Sequence, residues 1–220
     1  MQYLVALVTA AFLLAGCGGD SPSPDKGDTS TETPEAQSSP AQKAETYTTA
    51  AFLAGQMKVR LANDWIVSDD SAAHFAAAEG DDPDYSVLCS LDAYPVQNGE
   101  RVKGVRATAE GLLAWLGTNE NLRVMPKPDY PIGNDIRAKV ADMRISDQAV
   151  NDDPSCPADV CVNPIAFPPS DETYGLAGHH AVIRFYLSDI EFQGTKHLLV
   201  VSVEGRNRHD LHAFLLGRSA

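Results

Sequence analysis

Between Gly18 and Thr46 the chain carries no Val, Ile, Leu, Met, Phe, Trp or Tyr, and that gap decides where a fold can form. A segment made of Gly, Asp, Ser, Pro, Thr, Glu, Ala, Gln and Lys has no apolar surface to offset its ordering entropy. Residues 17–46 are therefore expected to be a disordered linker. As a flexible chain of about 29 residues it spans on the order of 30 Å, and further if its prolines and like charges stretch it. The core must come from residues 47–220, enough for one domain and too little for a two-lobed solute receptor.

Ahead of the gap, the apolar run from Tyr3 to Leu14 has the length of a signal h-region and falls short of the roughly 18 residues of a spanning helix. It closes on Leu14-Ala15-Gly16-Cys17, the form of a bacterial lipobox. A thiol is needed at Cys17 to take up the diacylglyceryl group, and small residues at Ala15 and Gly16 let the peptidase reach the bond. Residues 1–16 are thus expected to be a lipoprotein signal peptide, with Cys17 lipidated on the outer side of the cell membrane. Two or more acyl chains, at about 0.8 kcal/mol per buried methylene, make a durable anchor. Met1-Gln2-Tyr3 lacks the basic residues of an ordinary n-region, which favours a true start upstream.

The net charge is −13. The linker's six acids and two bases supply −4 of it, so the domain carries −9. An acidic surface disfavours nucleic acid and anionic headgroups. The expected partners are the membrane, through the lipid, and an envelope protein or cell-wall component.

Within the domain, Met57, Val59 and Leu61 alternate with Lys58 and Arg60, and Asn63-Asp64 turns the chain into Trp65-Ile66-Val67. Asp70-Ser71 reads as the cap of an Ala-rich helix ending near Gly80. Tyr85, Val87, Cys89 and Leu91 alternate as a second strand, and Thr108 to Leu116 reads as a core-facing helix closed by Gly117. Pro126 to Pro131 reads as a loop. Ile136, Ala138 and Val140 alternate, then lose phase before Met143 and Ile145, as a bulge would make them do. His179–Leu187 and His197–Val203 read as a hairpin, and Asp210 to Gly217 as a terminal helix. Strands outnumber helices without regular interleaving, so the expected class is α+β, an antiparallel sheet covered by helices.

The opening Gly55-x-Met57-x-Val59-x-Leu61 with Trp65, the late strand pair and the ending Leu215-Leu216-Gly217-Arg218-Ser219 resemble the PsbP-like and LpqN-like lipoprotein domains. The resemblance implies an α/β/α sandwich used as an accessory or binding scaffold. It carries over no catalytic residue.

Cys156 and Cys161 lie in a Pro-rich insertion of an exported chain, where a local disulfide is the expected state. It would close a short loop for about 2 kcal/mol. A metal knuckle and a pairing of either residue with Cys89 are the competing readings. Cys89, on the apolar face of a strand, reads as an inert thiol. His209 and His212 sit three apart at the start of the terminal helix, and the adjacent His179 and His180 would face opposite ways on a strand. Neither pair comes with a third ligand, and Asp81-Asp82-Pro83-Asp84 lacks the Gly and Glu of a calcium loop. No metal or cofactor is expected. No nucleophile elbow, phosphate loop, dinucleotide fingerprint or metalloprotease helix occurs. The expected function is non-catalytic, a lipid-anchored envelope protein with a binding or accessory domain; the alternative is a small envelope hydrolase or thiol enzyme.

Overall fold

A computed structural model describes residues 44–62, 64–80, 86–132, 136–151 and 155–205. The largest sheet has seven antiparallel strands in the order β3 (Trp65–Asp70), β4 (His74–Glu79), β5 (Ser86–Leu91), β13 (Thr195–Gly205), β12 (Val182–Phe192), β9 (Arg137–Ile145) and β8 (Leu122–Pro131). A second sheet runs β11 (Glu172–Ala177), β10 (Cys161–Phe167), β6 (Tyr94–Gln97) and β7 (Glu100–Arg101), again antiparallel. A hairpin of β1 (Ala44–Thr48) and β2 (Lys58–Ala62) encloses a 3-10 turn at Phe52–Gly55. β1 thus opens three residues inside the tract read as linker. Among the described residues the one α-helix is α1 (Ala109–Leu116), and it is not long enough to cross a membrane.

The described residues are therefore mostly β, 58% strand and 8% helical, and the α/β/α sandwich expected above is overturned. Two misread segments account for much of the difference. The Ala-rich stretch is β4, an interior strand whose Phe75 and Ala77 are buried on one face while His74 and Ala76 point to the other. Alanine's helix propensity is worth tenths of a kcal/mol per residue, and pairing with strands on both sides outweighs it. The Pro-rich stretch is β8, the edge strand, where proline is tolerated and a register shift between Lys127 and Tyr130 accommodates Pro128.

The phase slip read as a bulge in β9 has another origin. Its pairing with β12 is unbroken from Lys139 to Met143; what changes is that both faces become buried. Ala138 and Val140 join one core, and Met143 and Ile145 the other. The seven-stranded sheet is the middle of three layers. On one side Phe52, Leu53, Met57 and Leu61 of the β1–β2 hairpin pack on Phe75, Cys89, Val140, Tyr186 and Val203. On the other, Leu112 and Leu116 of α1 and Val162, Ile165 and Phe167 of the second sheet pack on Met143, Phe185, Leu187 and Val200.

The β12–β13 hairpin is longer than its hydrophobic run suggested, pairing without interruption from Val182–Gly205 to Phe192–Thr195. Its two-residue turn, Gln193-Gly194, holds φ of 52° and 77°, the mirror-image turn whose twist matches paired strands. Helix α1 matches the expected span. Thr108 Oγ1 accepts from Gly111 N–H at 3.1 Å and caps it.

Candidate functional site

The turn after β3 builds one wall of a pocket. Ser71 N–H donates to the His74 carbonyl (2.9 Å) and His74 N–H to Ser71 Oγ (3.1 Å), which fixes His74 as the first residue of β4. A register shift between Val67 and Asp69 pairs Asp69 with Ala76, and Asp69, His74 and Ala76 all line the cavity. Leu88 of β5 adds to this wall, and Phe167 of β10 with Glu172, Thr173 and Tyr174 of β11 form the facing one. The volume is about 200 Å³. Residue 175 must be glycine for β11 to lie this close. Opposite the irregular pairing at Asn163 and Pro164, a Cβ there would sit 1.9 Å from the Val162 carbonyl oxygen and 2.6 Å from Asn163 Cα.

The pocket is aromatic and acidic. His74 meets Phe167 edge-on at 5.6 Å, and Phe167 lies 5.8 Å from Tyr174. Asp69 Oδ2 is 4.0 Å from His74 Nδ1, too far for a hydrogen bond. His74 Nε2 is buried without a hydrogen bond, and Tyr174 Oη is buried beside Ser202. Burial pushes the Tyr174 phenol well above its ordinary pKa and the nearby Glu204 charge pushes the same way. A side-chain hydrogen bond with Ser202, whose hydroxyl also points at the Leu88 carbonyl (3.3 Å), opposes them. Burial likewise raises the Glu204 carboxyl, against a hydrogen bond from Ser86. Among the described residues no lysine or arginine lines the cavity.

Three other groups could carry chemistry. Asp92 holds His197 Nδ1 at 2.7 Å and accepts from Leu198 N–H at 3.0 Å. That is an oriented imidazole, but among the described residues no hydroxyl or thiol hydrogen-bonds to it. The Ser71 hydroxyl, near His74, is engaged with Asp69 and the His74 carbonyl. A buried ion cluster joins Asp142 to Arg184 through two bonds (2.5 and 3.0 Å), with Lys127 at 3.3 Å.

The cysteines sort as follows. Cys156 and Cys161 are bonded to each other, and Asn151 Oδ1 receives the Cys161 N–H at 3.0 Å. Cys89 is free and 2% exposed, and burial pushes its thiol up to about 12. His179 and His180 occupy the turn before β12, not its first residues. Cys17, Asp81, Asp82, Asp84, His209, His212 and the expected terminal helix lie outside the described residues. Among the described residues no three His, Cys, Asp or Glu side chains are grouped as a metal site requires.

Sequence reasoning did not find the pocket. His74 was placed in a helix, Phe167 in a Pro-rich insertion, and Glu172 to Tyr174 in no element. The available signal was the β-rich run Val162, Ile165, Phe167 followed after a Pro-Pro turn by Thr173-Tyr174, a hairpin pattern masked by Pro164. No family model matches the chain, and no curated protein matches it.

Proposed function

We propose that this is a lipid-anchored envelope protein, tethered at Cys17, whose β domain works by binding a ligand in the pocket between its two larger sheets. The observation that carries the reading is a cavity of about 200 Å³ between the two sheets, walled by Ala76 and Leu88 on one side and by Phe167 and Thr173 on the other, which the small side chains of β4 leave unfilled.

The enzyme alternative lacks a nucleophile among the described residues. A thiolate at Cys89 would be desolvated, and among the described residues no hydroxyl or thiol hydrogen-bonds to the imidazole of His74 or His197. The test has two arms. Cys17→Ser should move the protein from the membrane to the soluble fraction; retention at the membrane refutes the anchor. A photo-crosslinking residue at Thr173, on the pocket wall, should capture a defined adduct in the native envelope that the same residue at Glu100, on β7, does not. Equal or absent capture refutes the pocket as the binding site.

A further inference from the structure

We infer that the face of the seven-stranded sheet turned away from the pocket holds a site for a phosphate group, built by Arg123 of β8 and Arg144 of β9 with Lys127 beside them. Residues paired directly across an antiparallel ladder put their side chains on one face, and every second residue along a strand returns to it. Arg123 pairs with Arg144, Lys127 with Val140, and Asp142 with Arg184 of β12. Val140 packs in the core under the β1–β2 hairpin, so all four cations share that face with Asp142. Four positive charges less one negative leave a local surplus of +3. In a domain that is acidic as a whole, such a surplus is a local exception.

The one acid is already engaged. Arg184 holds both Asp142 oxygens, and the Lys127 ammonium reaches back along β8 to within 3.3 Å of it. Arg123 and Arg144 stand directly opposite each other, where like charges repel, and among the described residues no carboxylate pairs with either. Arg144 is half-buried. Its Nε is enclosed without a hydrogen bond, which fixes the stem, while the rest of the residue stays accessible. A ligand does not have to touch Nε. The guanidinium charge is delocalised, so an anion at the terminal nitrogens compensates all of it, and the planar fork matches two oxygens of a phosphate. With the two Cβ atoms about 5 Å apart, as direct cross-strand partners are, both forks can close on one tetrahedral anion. Lys127 retains N–H donors beyond the one turned to Asp142. A surplus of this size suits a doubly charged phosphate better than a single carboxylate.

The full chain in a non-ionic detergent is titrated with inorganic phosphate at constant ionic strength, sodium chloride making up the difference. The backbone amides of β8 and β9, which every variant keeps, are followed by NMR. Saturable shifts centred on Arg123 and Arg144, with acetate at least about tenfold weaker, support the inference. Arg144→Met keeps the apolar stem and removes the enclosed Nε, so it should fold at least as well as the parent and weaken phosphate binding about tenfold. Arg123→Gln, at an exposed position, should weaken it about threefold, and Arg60→Gln, an exposed arginine of β2, should leave it unchanged. Two further arms separate the sources of the phosphate: glycerol phosphate in solution, and micelles doped with phosphatidylglycerol against micelles doped with phosphatidylcholine. A stronger response to the first assigns the site to a soluble phosphate ester, and to the second a lipid headgroup; either supports it. No saturable response to any phosphate probe, an equal response to acetate, an equal loss in Arg60→Gln, or unchanged affinity in both Arg144→Met and Arg123→Gln overturns the inference. The pocket lies on the other side of the sheet, so the Thr173 crosslink should survive all three variants, and its own failure leaves the phosphate site standing.

Discussion

Asp70, at the end of β3, is the fastening of the outer layer, and its removal should cost stability in a pH-dependent way. Its carboxylate accepts from the backbone N–H groups of Ala50 (2.6 Å), Ala51 (3.1 Å) and Phe52 (3.1 Å) and from the Tyr47 hydroxyl (2.8 Å). These bonds tie the segment that carries Phe52 and Leu53 into the core. Partial burial would raise the Asp70 pKa, but the three amides and the phenol together hold it down at about 2 from an ordinary 3.8. Taken at face value that shift is worth about 2.4 kcal/mol at 1.36 kcal/mol per unit. The carboxylate is reached by water, so solvent screening brings it to about 1 kcal/mol. Because the folded pKa lies below the unfolded one, the contribution is complete above pH 4 and disappears as the pH falls from 3.8 toward 2. Asp70→Asn keeps the shape and loses the charge. Urea unfolding at pH 7 should find it about 1 kcal/mol less stable than the parent, about 2–4 °C in Tm for a domain of this size. At pH 2 the two proteins should converge. A difference that persists unchanged at pH 2, or is absent at pH 7, refutes the carboxylate as the fastening.

Three further outcomes follow from other contacts. Asp142→Asn should destabilise by about 3 kcal/mol, because it leaves the 7%-exposed Arg184 without its counter-charge, whereas Asp142→Leu combined with Arg184→Met should fold with near-parental stability in the same urea assay. Gly175→Ala should cost at least about 1–3 kcal/mol, since the new methyl meets main chain and not a movable side chain, and should abolish the Thr173 crosslink. Cys89→Ala should cost about 1 kcal/mol in packing and leave binding intact, and folded protein should resist iodoacetamide at neutral pH; rapid alkylation at Cys89 would contradict its burial.

The strands legible from sequence were those with a clear alternation or a dense β-branched run, whether one face is buried, as in β2, or both, as in β5, β12 and β13. Val59 and Leu61 in β2, Val87 and Cys89 in β5, and the long β12–β13 pair all show alternation or dense β-branched runs. Helix α1 was legible because its cap, apolar stripe and closing glycine agree. What failed was everything that depends on a third layer. β9 is buried on both faces, so its period disappears. β8 holds three prolines that an edge strand can tolerate and a central one cannot, and edge position is invisible in sequence. β10 was hidden by the disulfide and Pro164, and without β10 and β11 the second sheet, and hence the pocket's far wall, could not be anticipated. Individual site residues were no more legible. Asp69, His74 and Tyr174 gain meaning only from a register shift, a turn and a glycine that bring three separate strands together.

The composition that misled the reading of β4 also makes the pocket. Alanines at 76 and 78 alternate with Phe75 and Ala77, so beyond His74 the face of β4 turned toward the second sheet carries only a methyl at each position. A close-packed interior would fill such a face with larger side chains, each buried methylene adding about 0.8 kcal/mol. Leu88 pairs directly across from Ala76, and the volume between them and the Phe167–Tyr174 pair stays empty at about 200 Å³. Filling it would be the simplest stabilising change available to the chain: Ala76→Val adds two methylene-sized groups to a position already on a strand, where a β-branched residue is favoured. If the space serves binding, Ala76→Val should raise stability and remove the Thr173 adduct. If the space is only imperfect packing, stability should rise while the adduct persists.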